Sequence, residues 1–168
     1  GTGTINDCTE SNINYGTAVV LTATPLAGWS FTGWSGCDSP SGNSCTMTMN
    51  SAKSVSATFS QITYQLTLNK LGTGTGNVTS SPSGISCLIG CSTQSASFNS
   101  GQSVQLTAAS SVGSIFTGWS GGGCSGTGIC TVTMNSAQTV SATFNIQQFT
   151  LTTSVAGSGN ITGTGISC

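Results

Sequence analysis

Ionised side chains are nearly missing from this sequence. Only 3% of its 168 residues are charged. Lys53 and Lys70 are the cations, Asp7, Glu10 and Asp38 the anions, and there is no His and no Arg. A formal net charge of −1 excludes the basic footprint of nucleic-acid binding. It also leaves no polybasic patch for an anionic lipid surface. Without His, the abundant Ser has no imidazole base, and no two carboxylates are spaced for acid–base work. Calcium sites draw on six to eight oxygens, and no DxDxD pattern collects them. The Gly-Thr-Gly-Thr-Gly run at 72–76 lacks the Lys and the helix of a phosphate loop and reads as a flexible hairpin turn. No apolar run approaches the ~18 residues of a membrane-spanning helix, and no signal peptide is visible. The residues therefore point to no catalytic group, no cofactor and no metal.

Solubility must then rest on Ser, Thr, Asn, Gln and the backbone. A surface of this kind repels its own copies weakly, because near-zero net charge favours association. The eight Cys are the other conspicuous feature. Mixed-ligand zinc needs His, and the Cys pairs flank Gly/Ser loops rather than CxxC knuckles. No CxxC opens a helix, and no His or Arg stands by to lower a thiol pKa, so redox catalysis is not indicated. Closely paired Cys in a polar, β-rich chain read as disulfides and place it in an oxidising, extracellular setting. Cys37 with Cys45 and Cys124 with Cys130 enclose corresponding Gly/Ser-rich loops and should each staple one hairpin. Cys87 with Cys91 makes a third pair. Cys8 and Cys168 remain. A bond between them within one chain requires the two ends to meet; the alternative, which a linear array favours, joins Cys168 to Cys8 of the next copy.

An internal duplication runs through the chain. Leu21-Thr22-Ala23 returns as Leu106-Thr107-Ala108, and Phe31-Thr32-Gly33-Trp34-Ser35-Gly36 as Phe116-Thr117-Gly118-Trp119-Ser120-Gly121. Met49-Asn50-Ser51-Ala52 and Val55-Ser56-Ala57-Thr58-Phe59 return in the same way. Trp34 and Trp119 stand 85 residues apart (119 − 34), a spacing that holds in every block and marks a tandem array. The boundaries follow: 1–62 is the C-terminal part of one repeat, 63–146 a complete repeat, 147–168 the N-terminal part of the next. Gly165-Ile166-Ser167-Cys168 repeats Gly84-Ile85-Ser86-Cys87, so neither end resembles a natural terminus.

Within each repeat the apolar residues alternate with polar ones, as in Val104, Leu106 and Ala108 or Val140, Ala142 and Phe144. That period of two belongs to half-buried strands. No segment carries a helical stripe. The expected fold class is all-β: tandem, small, antiparallel, sandwich-like repeats of six or seven short strands, with disulfide-stapled hairpins.

Trp34 and Trp119 sit inside the duplicated block and read as core aromatics. Trp29 corresponds to Ser114, so the repeat does not depend on it. It is expected as an exposed contact in the turn after Pro25, toward an adjacent subunit or a glycan. Asn77-Val78-Thr79 and Asn160-Ile161-Thr162 match the N-glycosylation pattern but fall at equivalent places and read equally as strand residues. Lys53 and Lys70 correspond to Gln138 and Val155, so an isopeptide cross-link through them would not belong to the repeat.

The succession Ser-Pro-x-Gly-Ile-x-Cys, Val-x-Leu-Thr-Ala, Phe-Thr-Gly-Trp-Ser-Gly, Cys-Thr-Val-Thr-Met-Asn and Val-Ser-Ala-Thr-Phe resembles the divergent internalin-B B-repeat type. The likeness covers essentially the whole chain. It implies a bacterial or archaeal extracellular protein and an all-β or β-grasp-like module, and it says nothing of activity. Together these readings lead to an extracellular stalk or filament built from stacked repeats, with copies of itself or adjacent repeats as partners. The alternative is a surface adhesin or carbohydrate-binding repeat that meets a glycan or host surface.

Overall fold

The computed structural model describes residues 13–167. Five strands lie in the first block: β1 (Ala18–Thr22), β2 (Trp29–Ser35), β3 (Ser39–Ser41), β4 (Ser44–Thr48) and β5 (Ser56–Gln61). The complete repeat holds β6 (Thr63–Leu71), β7 (Gly76–Ser81), β8 (Ser86–Cys87) and β9 (Thr93–Asn99), then β10 (Ser103–Ser110), β11 (Ser114–Gly121), β12 (Cys130–Thr133) and β13 (Gln138–Ile146). A short hairpin, β14 (Thr162–Gly163) and β15 (Ile166–Ser167), follows. There is no helix among the described residues, and the chain is all-β, in several small sheets.

The period of two decides which face of each strand is buried. On β10, Val104 and Leu106 are buried, while Ser103, Gln105 and Thr107 face solvent. On β13, Val140, Ala142 and Phe144 are buried and their neighbours are not. The complete repeat folds these faces inward as two four-stranded sheets, ordered β12-β10-β7-β8 and β11-β13-β6-β9. One core draws on both: Leu66 and Leu68 from the second sheet meet Val78, Val104, Leu106 and Val132 from the first. Phe144 caps this core so closely that a Cβ on Gly76 would lie 2.2 Å from its ring. Glycine is required there because a strand passes directly beneath an aromatic side chain.

The complete repeat has eight strands rather than six or seven. Only β7 and β8 form a hairpin in one sheet; the other consecutive strands alternate between the two sheets. The glycine run at 72–76 is accordingly a corner between sheets, not a hairpin turn. The expected antiparallel pairing holds for every ladder but one. β13 runs parallel to β6, with Gln138 opposite Leu66 and Thr143 opposite Leu71. Parallel neighbours need a long connection, and here the whole repeat supplies it, since β6 opens the repeat and β13 closes it.

The first block repeats half of this plan. β1 pairs with β4 as β10 pairs with β12, and β2 with β5 as β11 with β13. Even the irregularity is duplicated. A bulge leaves Thr32 and Thr117 unpaired in their ladders. Their hydroxyls donate to Thr58 O at 3.0 Å and to Thr143 O at 3.1 Å.

Candidate assembly interface

In the complete repeat, β13 is flanked by β11 and β6, and β10 by β12 and β7. In the first block, β5 has only β2, and β1 has only β4. Among the described residues, nothing stands where β6, β7 and β8 would stand. These two edges carry no further ladder among the described residues.

The side chains report the same incompleteness. Leu106 is fully buried, whereas its counterpart Leu21 is 37% exposed. Val140, Ala142 and Phe144 are buried, while Val55, Ala57 and Phe59 are only half-buried. Met134 is buried and Met49 is not fully so. The same residue types with the same spacing lie over an open face in one block and inside a closed core in the other.

The opening strands of the complete repeat have sequence counterparts after residue 148. Phe149, Leu151 and Val155 correspond to Tyr64, Leu66 and Lys70, and the first three are 83%, 70% and 45% exposed. Gly159-Asn160-Ile161-Thr162 corresponds to Gly76-Asn77-Val78-Thr79 of β7. The β14–β15 hairpin occupies the place of β7–β8 in the repeat.

The junction between blocks is also duplicated. The Ile62 N–H donates to Gly28 O at 2.8 Å, and the Gln147 N–H donates to Gly113 O at 2.9 Å. Ile62 O in turn accepts from the Ser100 N–H at 2.8 Å, which ties the start of β6 to the turn after β9. The residue corresponding to Ser100 in the first block is Tyr15, which is 85% exposed.

Among the described residues, three disulfides lock the loops. Cys37 is joined to Cys45 with a Cα separation of 5.8 Å, Cys87 to Cys91 with 5.4 Å and Cys124 to Cys130 with 5.3 Å. These separations fit unstrained bonding. The first closes the β3–β4 hairpin onto the end of β2. The other two clamp crossovers between sheets, because β8 and β9, like β11 and β12, lie in different sheets. Cys8 and Cys168 lie outside the described residues.

Trp29 is not an exposed turn residue. It opens β2, is half-buried, and its N–H donates to Leu26 O at 3.0 Å. Trp119 is a core aromatic, stacked edge-on against Phe116 with ring centroids 4.9 Å apart. Its indole N–H donates to Gly128 O at 2.7 Å. Trp34 packs likewise near Phe31, at 5.4 Å, but its buried Nε1 finds no partner among the described residues. The loop after Trp34 is drawn into β3 instead of curling back over the indole.

The few charges hold loops. Lys53 Nζ donates to both oxygens of Asp38, 2.6 Å from Oδ1, and Asp38 Oδ2 also accepts from the Thr48 N–H. The Lys53 hydrogen bond, then that of Thr48, holds the Asp38 carboxyl below its usual value. Lys70 donates to Gly76 O at 2.7 Å and Leu88 O at 2.8 Å, and partial burial pushes its pKa down. Asn77 is half-buried on β7, which makes it a strand residue. No group of three or more metal-ligating side chains is present among the described residues.

Sequence reasoning found the cysteines and the duplication but not the parallel ladder that joins the first and last strands of the complete repeat.

No curated protein and no solved structure matches the chain significantly. A family model for the divergent InlB B-repeat domain matches residues 1–63 and again 64–148. The disulfides and this match together point to an extracellular or surface tandem-repeat domain. With nearly its whole length covered by two copies of that model, the chain belongs to the divergent InlB B-repeat family.

Proposed function

We propose that this chain is a structural unit of an extracellular stalk or filament, built by end-to-end stacking of disulfide-clamped β-repeats. The observation that carries this reading is the tandem repetition itself: the family model matches twice in succession, and the strand ladders and bulge of one copy recur in the other. A contact of one end with the other does not close on itself, and repetition of such a contact yields a fibre. A surface with so few charges offers little repulsion against this stacking. The role is mechanical rather than catalytic.

A covalent link completes the unit. Cys168 of one copy and Cys8 of the next occupy the sequence positions of Cys87 and Cys91, which are bonded in the complete repeat. Their union releases two protons and two electrons to an extracellular disulfide oxidant. Negative-stain microscopy of the native surface material tests the function: uniform fibres or rods are expected, and isolated knobs at the cell surface would count against it. Mass analysis without reduction tests the link, which free thiols at Cys8 and Cys168 would rule out.

A further inference from the structure

We infer that the complete repeat carries a binding cleft for an acidic sugar, with the Lys70 ammonium as partner of the sugar carboxylate. The inference stands apart from the stalk reading, which needs no ligand. The cleft has a volume of about 210 Å³ and lies between the glycine corner at 72–76 and the segment that follows the Cys87–Cys91 bridge. Lys70, Thr75 and Ser92 supply its polar side chains, Leu71 and Phe144 its apolar ones, and glycine backbone the rest. That space is smaller than the roughly 300–1,000 Å³ of a drug-sized pocket and suits a single ring.

Lys53 is matched by Asp38, whereas Lys70 faces no carboxylate among the described residues. Its ammonium has three N–H donors. Two go to Gly76 O at 2.7 Å and Leu88 O at 2.8 Å, one in the corner and one in the disulfide loop. The third has no acceptor among the described residues. Partial burial disfavours this charge, as its lowered pKa records. An anion entering the cleft would stabilise it through a charge-assisted hydrogen bond. The lining includes no other titratable side chain, since Cys91 is held in its disulfide.

The backbone discriminates among anions. Phosphate is commonly held by several successive free N–H groups. Here the Gly74 N–H donates to Phe144 O, the Thr75 N–H to Ser114 Oγ and the Cys91 N–H to Leu88 O. One ammonium suits a carboxylate instead. The hydroxyls of Thr75 and Ser92 line the same space, and they suit ligand hydroxyls that both donate and accept. A peptide ligand would compete for N–H groups already engaged.

The next copy lacks both parts of this site. Val155 stands in the place of Lys70, and Gly157-Ser158-Gly159 in the place of the corner at 72–76. Lys70 precedes Asn77 by seven residues (77 − 70), and Val155 precedes Asn160 by five (160 − 155). The repeat pattern therefore requires neither the charge nor the longer corner, and the two are absent together. In the complete repeat the walls are fixed before a ligand arrives. Glycines whose added Cβ would strike Phe144 or Asn145 hold the corner against β13, and the disulfide holds the facing loop. Such preorganisation lowers the ordering cost of binding.

NMR titration of the full chain, labelled at lysine Cε and at the backbone amides, is the test. The two lysines give two Cε signals, and Lys53 is the internal control. Sodium glucuronate should move the Lys70 signal and the amides of 72–76 and Ser92 saturably, while glucose at the same concentration leaves them in place. Lys70→Met should weaken glucuronate binding about tenfold or more, the loss of a hydrogen bond to a charged group. Thr75→Val with Ser92→Ala, at two exposed residues, should weaken it severalfold without moving the thermal melt, so the test survives a poorly folded Lys70 variant. A parent chain without saturable shifts would overturn the site, and unchanged binding in a folded Lys70→Met chain would overturn the role of Lys70. An equal response to acetate or inorganic phosphate would overturn the sugar as ligand, as would tighter binding of a short peptide through its C-terminal carboxylate. None of these outcomes bears on fibre formation, so a failure here leaves the stalk reading to its own microscopy.

Discussion

The first block and the complete repeat share Trp34 with Trp119, Phe31 with Phe116, Phe59 with Phe144 and Met49 with Met134, together with their bulge and ladder registers, yet among the described residues only one of them has a closed core. Trp119, Met134 and Phe144 are buried; Trp34, Met49 and Phe59 are half-buried. The difference lies in elements that are contributed from elsewhere in the sequence, β6 to β8, and not in the residues being compared. Burial in this fold is thus a property of the assembled pair of sheets. A strand whose side chains alternate correctly still has nothing to bury against until its neighbour arrives, and a small repeat on its own covers too little of its apolar surface.

Substitutions at matched positions measure this contrast. The widest gap should come from Phe144→Ala against Phe59→Ala. The first empties a fully packed site and should cost about 3–5 kcal/mol. The second, at a half-open site, should cost on the order of 1 kcal/mol. Urea unfolding monitored separately at the two Trp positions reads both, and equal losses would break the comparison. Replacing Cys124 and Cys130 together by Ser should lower the stability of the complete repeat by roughly 2–3 kcal/mol. The same change at Cys37 and Cys45 should act only on the first block, without moving the main unfolding transition.

Trp119→Phe removes a hydrogen bond to Gly128 O and should cost about 1 kcal/mol. Trp34→Phe removes an N–H with no partner among the described residues and should be neutral or slightly stabilising. The smallest effects are those of pH. The Asp38 pKa lies below its ordinary value of 3.8 in the folded chain. Its contribution is therefore present above that value and lost as pH falls through the folded pKa. Lys70 is shifted the other way for a cation, downward from 10.5. The unfolded chain then binds the extra proton, so stability of the complete repeat should rise as pH climbs from the folded pKa toward 10.5. Thermal melts across both ranges check the signs, and Lys70→Met should abolish the alkaline rise.

Much of this fold was legible from residues alone. Val104 with Leu106 and Val140 with Phe144 announce strands by alternation, and the paired loops announce their cysteine bridges. The path of the chain between sheets was not legible. Alternation says that Leu66 and Val78 point inward, but not that β6 and β7 lie in opposite sheets. A parallel neighbour for β13 was hidden for the same reason: its partner stands some seventy residues upstream, and no local pattern records a contact of that range. Trp29 was misplaced because its mismatch with Ser114 reads as dispensability, whereas strand β2 buries half of whatever side chain occupies that position.

The parallel ladder between β6 and β13 has a mechanical consequence. β6 is where the backbone enters the complete repeat and β13 is where it leaves. A load pulling on the two ends of the complete repeat would draw these neighbours in opposite directions along their own length. Six residue pairs, from Gln138–Leu66 to Thr143–Leu71, would then bear the force together in shear, instead of parting one after another as a peeled hairpin does.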